Sequence, residues 1–216
     1  MSKKAIMFDM DGVLVNSEYC MRHSAILALK EWNITAEHED FIEFTGMGED
    51  SFIGGVVRKH GGEYTTEMKI RAYEIYDQLA GGIVEVPAGT KEMLMELKKR
   101  GYRISVASAA DLVKVRINLR CIGVTPEDFD AVVTGSDVEK KKPHPEIYLK
   151  TAAKLDEDPA NCVVIEDAIA GVEAGCAAGA VCVGVPGTFT LDELKEAGAR
   201  YTVNSITELP DIIDSI

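Results

Sequence analysis

The chain has 216 residues, of which 46% are hydrophobic and 27% are charged, and its formal net charge is −13. This composition predicts a globular protein of one domain, or of one domain with a modest insertion. The negative charge disfavours binding to nucleic acid or to an anionic membrane, but it leaves room for a small anionic substrate in a locally positive pocket. The start, MSKKAIMF, does not resemble a secretion signal, and no apolar run approaches the ~20 residues that cross a bilayer. We therefore expect a cytoplasmic protein.

The cysteine and histidine residues give no sign of a soft-metal site. The five cysteines form no CxxC pair and the four histidines are scattered along the chain. In a cytosolic protein such cysteines are typical of buried thiols.

Five short apolar runs alternate with helical patterns along the chain. The runs are KAIMF before Asp9, RISVAS at 103–108, AVVTG at 131–135, CVVIED at 162–167 and AVCVGV at 180–185. The helical patterns are TKEMLMELKKRG, LVKVRINLRCIG, PEIYLKTAAKL and AIAGVEAGCAAG. This alternation predicts an α/β fold with a doubly wound, Rossmann-like parallel sheet, in which ligands bind at the carboxyl ends of the strands.

Helical patterns alone occupy residues 17–80. In TTEMKIRAYEIYDQLAGG, one helical face carries Met68, Ala72, Ile75 and Leu79. The two glycines at 81–82 are expected to end that helix. The simplest interpretation is a helical segment inserted after the first strand.

This insertion predicts two parts. Residues 1–16 and 83–216 would form the α/β catalytic core, and residues 17–82 an inserted helical cap. The hinges would lie near residues 15–17 and 81–87. A helical insertion at the carboxyl edge of the sheet would cover the site as a lid.

Polar residues follow the carboxyl ends of four predicted strands. They are Asp9 and Asp11 after the first, Ser108 after the second, the three lysines 140–142 of KKKPHP after the third, and Glu166 and Asp167 at the fourth. Each alone has a simpler explanation, because Asp and Ser often cap helices and lysine runs are often solvated turns. Together they would converge on one edge of the sheet.

Convergent carboxylates need a cation to offset their repulsion. Oxygen ligands without a His or Cys cluster favour a hard ion, with Mg²⁺ ahead of Ca²⁺ or Zn²⁺. A serine hydroxyl and a lysine suit phosphoryl oxygens. The residues themselves therefore predict Mg²⁺-assisted phosphoryl transfer. Alternation across Met10 is expected to turn the side chains of Asp9 and Asp11 to the same side, where Mg²⁺ would offset their repulsion.

Four motifs occur in an order that resembles the haloacid dehalogenase-like phosphohydrolases. They are DMDGVL at 9–14, VASAA at 106–110, KKPHPEIY at 141–148 and VIEDAIAGVEAG at 164–175. The resemblance covers essentially the whole chain and is to the subgroup with a helical cap, which includes β-phosphoglucomutase and many small-metabolite phosphatases. It implies a Mg²⁺-dependent phosphatase acting on a small phosphorylated metabolite, with a sugar phosphate as the first candidate.

The resemblance also implies roles for the motif residues. Asp9 matches the nucleophile that becomes an aspartyl phosphate. Asp11 matches the general acid and base, and Lys142 the lysine that neutralises the nucleophile and the phosphoryl group. The implied phosphate-binding residues are Ser108, Ala109 and Lys142, and the implied metal-binding residues are Asp9, Asp11, Glu166 and Asp167.

The cap loop departs from the mutase pattern. β-Phosphoglucomutase has a loop resembling GVSRED, whose arginine grips the second phosphate of the substrate, whereas this chain reads GMGED at 46–50. This chain also has Asp111 at the position where the mutase has a lysine. These differences favour a monophosphate hydrolase, with a phosphosugar mutase as the alternative. The substrate-specificity candidates are Gly46, Met47, Gly48 and Glu49, although GMGED is equally typical of a turn that enters a helix.

Two other classes stay open. A signalling receiver domain gathers similar residues at a sheet edge, but it needs neither the insertion nor the two aspartates of DMDG. A non-catalytic metabolite-binding relative would not need every catalytic position, and here all of them are filled. We expect a monomer.

Overall fold

The computed structural model describes residues 5–44 and 48–216. Its centre is a six-stranded sheet in the order β3-β2-β1-β4-β5-β6, and every strand pair is parallel. The strands are β1 Ala5–Phe8, β2 Arg103–Ala107, β3 Ala131–Val133, β4 Cys162–Glu166, β5 Val181–Gly184 and β6 Tyr201–Thr202. The parallel α/β sheet predicted from the sequence is confirmed, and β6 is an additional strand at its edge.

Helices cover both faces of the sheet. They are α4 Thr90–Lys99, α5 Leu112–Ile122, α6 Glu146–Lys154, α7 Ile169–Ala177, α8 Leu191–Glu196 and α9 Leu209–Ile212. In β1, Ile6 and Phe8 pack into one apolar cluster with residues of α4 and α5, whereas Ala5 and Met7 pack into another with residues of α6 and α7. Because successive side chains of a strand point to opposite faces, β1 is buried on both sides and forms the middle of the core.

Three helices lie between β1 and α4 in the chain: α1 Glu18–Lys30, α2 Glu49–Lys59 and α3 Thr66–Ile83. A 3-10 helix, His38–Phe44, lies between α1 and α2. These elements bury an apolar cluster of their own, which includes Leu29, Phe41, Ile53 and Tyr76. The helical character predicted for this segment is therefore present, and its apolar side chains are covered mainly by one another.

Helix α3 ends later than the sequence suggests. Met68, Ala72 and Ile75 are buried on its inner face as predicted. The glycines at 81–82 lie inside the last turn rather than after it, and the N–H of Val84 still donates to the carbonyl oxygen of Ala80 at 2.9 Å. An exposed glycine costs a helix only about 1 kcal/mol, so the packed face carries the helix through both of them.

The two connections between the helical segment and the sheet are bonded to each other. The N–H of Asn16 donates to the carbonyl oxygen of Glu85 at 2.8 Å, and the N–H of Glu85 donates to that of Asn16 at 3.1 Å. The two connections therefore lie side by side, where the chain enters α1 and where it leaves α3.

The five cysteines differ in how far they are exposed. Cys20, Cys162 and Cys182 are buried thiols, but Cys121 is half-buried and Cys176 is exposed, so the expectation of buried cysteines is wrong for these two. Cys176 lies near the C-terminal end of the short helix α7, where its side chain reaches the surface. Within residues 5–44 and 48–216, no helix is long and apolar enough to span a bilayer.

Helix α7 lies so close to the sheet that glycine is required on its inner face. A Cβ added at Gly175 would lie 2.5 Å from Cys182 Sγ and 3.1 Å from Val164 Cγ1. A Cβ added at Gly171 would lie 1.9 Å from the Glu166 carboxyl group. This close approach places the N-terminus of α7 directly behind the acidic pair that ends β4.

We expect Gly175→Ala to destabilise the protein by about 1–3 kcal/mol, because the added methyl group overpacks the contact between α7 and β5. Urea unfolding followed by circular dichroism measures the change. Gly81→Ala is the matched control, since Gly81 is helical and a Cβ there would meet nothing within 4 Å. That control should keep the stability or raise it by up to about 1 kcal/mol. Equal effects of the two substitutions would contradict the packing argument.

Candidate active site

Lys142, whose side chain is 12% exposed, joins the carboxyl ends of three strands. Asp9 directly follows β1, and its N–H donates to the carbonyl oxygen of Ile165 in β4 at 3.0 Å. The ammonium group of Lys142, from the connection between β3 and α6, donates to Asp9 Oδ1 and to Glu166 Oε1, both at 2.5 Å. It also donates to the carbonyl oxygen of Ala107, at the end of β2, at 3.3 Å. One ammonium group therefore neutralises part of the charge that two strands bring to this edge.

The charges around Lys142 keep it protonated. Burial alone would lower its pKa, but the carboxylates of Asp9 and Glu166 outweigh burial and hold the pKa above the usual range. The ammonium group also lies 5.1 Å from the centre of the Tyr148 ring, on whose face a cation is favoured. Lys142 is thus a fixed positive charge beside Asp9.

Three carboxylates form an acidic cluster around this lysine. Asp9, Glu166 and Asp167 are all buried, and each offers an oxygen that lies within 4.8 Å of the others. The hydrogen bonds of the two neighbours differ. Glu166 Oε1 accepts from Lys142 and from the Tyr148 hydroxyl at 2.7 Å, whereas Oε2 accepts from the N–H groups of Asp167 and Ala168. The oxygens of Glu166 are therefore occupied by protein donors.

Asp167 keeps free acceptor capacity. Among the described residues, its Oδ2 accepts one long hydrogen bond, from the N–H of Thr188 at 3.5 Å. Burial and the charges of Glu166 and Asp9 raise the pKa of Asp167 to about 8. Burial also raises the pKa of Asp9 to about 7, although Lys142 opposes the change. The cluster holds more negative charge than its lysine neutralises.

The residues around Asp167 fit a hard divalent cation. A Cβ at Gly12 would lie 2.1 Å from Asp167 Oδ2, and a Cβ at Gly187 would lie 2.4 Å from the same oxygen. Gly12 also has a φ of +85°, a conformation that favours glycine. The backbone therefore leaves space for this carboxylate on two sides, and the oxygen-only donor set is the one that Mg²⁺ and Ca²⁺ prefer.

Ser108 is buried at the end of β2. Its N–H donates to the carbonyl oxygen of Val133 at 3.0 Å, and its Oγ accepts from the N–H of Ala110 at 3.2 Å. Ser108 and the acidic cluster line one cavity of about 670 Å³. The predicted core residues that line this cavity are Asp9, Asp11, Ser108, Ala109, Lys142, Glu166 and Asp167. The structure thus gathers every predicted core position into one place.

Asp11 forms an ion pair with a different lysine, Lys114. The ammonium group of Lys114 donates to Asp11 Oδ2 at 2.9 Å, while Oδ1 accepts from the hydroxyl of Ser17 and from Asn118 Nδ2 at 3.4 Å. Lys142 offsets the charge of Asp9, as expected, but Lys114 offsets that of Asp11. The carboxylate of Asp11 therefore hydrogen-bonds to side chains of α5 and to Ser17, just before α1.

Lys114 is not among the site residues predicted from the sequence. This residue lies in the first turn of α5 and is almost wholly buried. A cation is unfavourable at a helix N-terminus, where the helix dipole is positive. A lysine in the first turn of a helix that begins soon after the VASAA motif is therefore unusual, and this position could have identified Lys114 from the sequence. Lys114 lies 3.6 Å from Glu49 Oε1 and so also contacts the helical segment.

The cap-loop candidates are only partly described. Gly46 and Met47 lie outside the described residues. Gly48 has a φ of +81° and precedes α2, so this part of GMGED does enter a helix, with Glu49 in its first turn. The side chain of Glu49 is also buried, with 7% exposure, and burial raises its pKa. It lines a second, smaller cavity beside the first.

Comparison with known proteins identifies the family. Residues 6–185 match the family described as haloacid dehalogenase-like hydrolase. The chain belongs to this family. The Rossmann-like α/β fold and the enzyme class predicted from the sequence are confirmed, and several relatives of this haloacid dehalogenase-like hydrolase are named as phosphatases.

Three relatives illustrate the range of the family. Protein SUPPRESSOR OF QUENCHING 1, chloroplastic, of Arabidopsis thaliana is 40% identical over 198 residues, which are 90% of this chain and 19% of that protein. The chain thus spans about a fifth of the length of that relative. Beta-phosphoglucomutase of Bacillus subtilis is 30% identical over 195 residues, 84% of this chain and 83% of the relative.

The third relative has a solved structure. CbbY from Rhodobacter sphaeroides, in complex with phosphate, is 28% identical, with a TM-score of 0.84 and 96% of each chain covered. A mutant of CbbY has also been solved in complex with xylulose-(1,5)bisphosphate.

The raised pKa values predict how stability depends on pH in metal-free protein. Asp9 and Asp167 bind protons more tightly when folded than when unfolded, so their contribution to stability is complete below about pH 4 and is lost as pH rises through 7 to 8. With EDTA present, the free energy of unfolding should fall by about 1 kcal/mol or more between pH 6 and pH 8.5. Urea unfolding at both values measures it.

Asp167→Asn is the comparison for this experiment. It removes one of the two titrating groups and one negative charge beside the other, so the variant should lose clearly less stability over the same pH interval. An equal loss of stability in both proteins would show that the carboxyl groups of Asp9 and Asp167 do not cause the pH dependence.

Proposed function

We propose that the chain is a Mg²⁺-dependent phosphatase that hydrolyses a small phosphorylated metabolite through an aspartyl phosphate on Asp9. The observation that carries this proposal is the buried arrangement of Lys142 between Asp9 and Glu166, beside an Asp167 with free acceptor capacity. It lies at the carboxyl edge of a parallel sheet, where this class of fold binds ligands. Family membership supports the same reaction.

The first step transfers the phosphoryl group to Asp9. Lys142 holds Oδ1 of this carboxylate at 2.5 Å, which leaves the other oxygen to attack phosphorus. A bond forms between that oxygen and phosphorus while the bond from phosphorus to the ester oxygen breaks. Asp11 donates a proton to the leaving oxygen, so that the leaving group departs as an alcohol.

The second step returns Asp9 to its free form. Asp11, now deprotonated, takes a proton from a water molecule, whose oxygen attacks phosphorus. The bond between phosphorus and Asp9 breaks, inorganic phosphate is formed, and Asp11 is protonated again. The same side chain serves in both directions, which suits its position at the junction of the two cavities.

Other groups bind the phosphoryl oxygens. The hydroxyl of Ser108, the backbone N–H of Ala109 and the ammonium of Lys142 are the proposed phosphate ligands. Asp9, Asp167 and the carbonyl oxygen of Asp11 would hold Mg²⁺, which when bound supplies positive charge to the transferring group. Glu166 belongs to this site chiefly by orienting Lys142, because its oxygens already accept four hydrogen bonds.

Residues 17–82 are proposed to act as the cap. Glu18 and Ile42 from this segment line the main cavity together with the acidic cluster. The segment has its own apolar cluster, and the hydrogen-bonded pair of Asn16 and Glu85 marks where it joins the sheet. A body that is packed internally and attached by two adjacent connections can move over the site and exclude water during transfer.

A phosphosugar mutase is the second candidate. The 30% identity with beta-phosphoglucomutase of Bacillus subtilis favours it. A mutase would return the phosphoryl group to another hydroxyl of the sugar, so its product is an isomer and no phosphate accumulates. Incubation of glucose 1-phosphate with a glucose bisphosphate primer, followed by separate assays of glucose 6-phosphate and free phosphate, distinguishes the two reactions.

We expect Asp9→Asn to abolish phosphate release, by at least about a thousandfold in kcat, because the amide is no nucleophile. The assay is a phosphate-release screen over sugar phosphates, nucleotides and other small phosphates, with Mg²⁺ and with EDTA. EDTA should abolish the wild-type rate, and added Mg²⁺ should restore it.

Asp192→Asn is the matched control for this screen. The side chain of Asp192 is 89% exposed on α8, and its loss should leave the rate unchanged. Unfolding curves check that both variants fold. A folded Asp9→Asn protein that releases phosphate at the wild-type rate would refute the mechanism.

A further inference from the structure

Two cysteines lie in contact with each other on the side of α7 that faces β5. Cys176 is in the last turn of α7 and is exposed, whereas Cys182 is in β5 and is buried. Their sulfur atoms lie 3.6 Å apart. Because a disulfide bond joins sulfur atoms at about 2.05 Å, the two atoms must approach by roughly 1.5 Å to form one. Rotation of the exposed Cys176 side chain supplies a displacement of this size.

The turn between α7 and β5 holds the two cysteines together. Gly179 has a φ of +88°, a conformation that favours glycine and that reverses the chain after the helix. The N–H of Gly179 donates to the carbonyl oxygen of Cys176 at 2.9 Å, and the N–H of Ala180 donates to that of Gly175 at 3.1 Å. The contact between the sulfur atoms therefore follows from local backbone structure, and closing a bond between them needs no rearrangement of the fold.

The two thiols differ in access and in their hydrogen bonds. Cys182 is 1% exposed, and burial raises the pKa of its thiol, so little of it is present as thiolate. This thiol donates to the carbonyl oxygen of Val172 at 3.5 Å. Cys176 is exposed, and its Sγ lies 3.4 Å from the carbonyl oxygen of Gly198. An oxidant in solution therefore reaches Cys176 first, and Cys182 lies directly behind it.

We propose that Cys176 and Cys182 form a reversible redox site, in which a peroxide oxidises Cys176 and Cys182 then closes a disulfide bond that fastens the C-terminal end of α7 to β5. An accessible thiol beside a second thiol is the arrangement that redox-sensing cysteines use. The inference goes beyond the proposed phosphatase reaction and does not depend on it, because neither cysteine takes part in that reaction.

The oxidation has two steps. The thiolate sulfur of Cys176 attacks one oxygen of hydrogen peroxide, the O–O bond breaks, and the hydroxide that leaves combines with the thiol proton to give water. Cys176 is then a sulfenic acid. The sulfur of Cys182 attacks the sulfur of that acid, the S–O bond breaks, and the leaving hydroxide takes the Cys182 proton as a second water. The contact at 3.6 Å offsets the low thiolate content of Cys182, because adjacent groups react at a high effective concentration.

The disulfide bond would restrain α7 at the end that lies away from the acidic cluster. Near its N-terminal end, α7 packs so tightly that a Cβ at Gly171 would lie 1.9 Å from the carboxyl group of Glu166. At the C-terminal end, the sulfur atoms of Cys176 and Cys182 are in contact but not bonded. A bond there closes a short loop in the unfolded chain and so removes conformational entropy from it. The oxidised protein should therefore have a higher Tm than the reduced protein.

Peptide mapping after peroxide treatment tests the site. The full chain is reduced, freed of reductant, treated with hydrogen peroxide and denatured in N-ethylmaleimide. Cleavage after glutamate gives the peptide 174–193, whose two cysteines are Cys176 and Cys182. We expect this peptide to carry no maleimide and to be about 2 Da lighter than its dithiol form, and dithiothreitol should restore both thiols. The treated protein should also unfold at a Tm about 3 °C or more above that of the reduced protein.

Variants separate this pair from general thiol oxidation. In Cys182→Ser, Cys176 should gain two or three oxygen atoms that dithiothreitol does not remove, because no second thiol intercepts the sulfenic acid. In Cys176→Ser, Cys182 should stay alkylated and peroxide should leave the Tm unchanged. Cys121→Ser removes a half-buried thiol and is the matched control, which should form the disulfide as the wild type does. Unfolding curves check that each variant folds, and the wild-type result stands without them.

Three results for the wild type would overturn the inference. They are a sulfinic or sulfonic acid at Cys176, a disulfide bond from Cys176 to a cysteine other than Cys182, and two alkylated thiols in the peptide under conditions that fully oxidise free N-acetylcysteine. A disulfide bond between Cys176 and Cys182 with an unchanged Tm would contradict the fastening of α7. These measurements use no phosphate ester, so their outcome is separate from that of the phosphatase proposal.

Discussion

The acidic site depends on one partly buried ammonium group, that of Lys142. Lys142 donates to Asp9 and to Glu166 at 2.5 Å each, in a place where three carboxylates offer oxygens within 4.8 Å of one another. Without this cation, burial would leave the carboxylates repelling one another in a region of low dielectric constant, and they would protonate. The lysine leaves a negative excess, centred on Asp167, that a hard cation can neutralise. The carbonyl oxygen of Ala107 also accepts a hydrogen bond from Lys142, so one ammonium group links the ends of β1, β2 and β4.

A second buried lysine connects the chemistry to the helical segment. Lys114 binds Asp11, the proposed acid and base, and also lies beside Glu49 of α2. The aspartates of DMDG thus have different cations and, in our account, different roles: Asp9 attacks phosphorus and Asp11 moves protons. Because Asp11 and Glu49 share the ammonium group of Lys114, the charge of one carboxyl group affects the other.

The sequence predicted what depends on local pattern. Strands β1 to β5 each correspond to an apolar run in the sequence that is followed by small or polar residues, so the sheet could be predicted. The convergence of Asp9, Ser108, Lys142 and Asp167 followed from the fold class, because the carboxyl ends of parallel strands lie at one edge. Contacts between distant segments could not be predicted in this way. Lys114 binds Asp11 across 103 positions of sequence, and its ion pair with Glu49 joins α5 to α2, which are also distant in the sequence. Strand β6 has two residues, too few for any periodic pattern.

The most direct test of this account is to trap the covalent intermediate. Excess enzyme is mixed with the best substrate of the screen and quenched in acid within one turnover. Reduction with borohydride then converts an aspartyl phosphate to homoserine, which peptide mass spectrometry locates. The account predicts homoserine at Asp9, dependent on substrate and absent from Asp9→Asn. Phosphate release without any modification at Asp9, or with the modification at another residue, would contradict it.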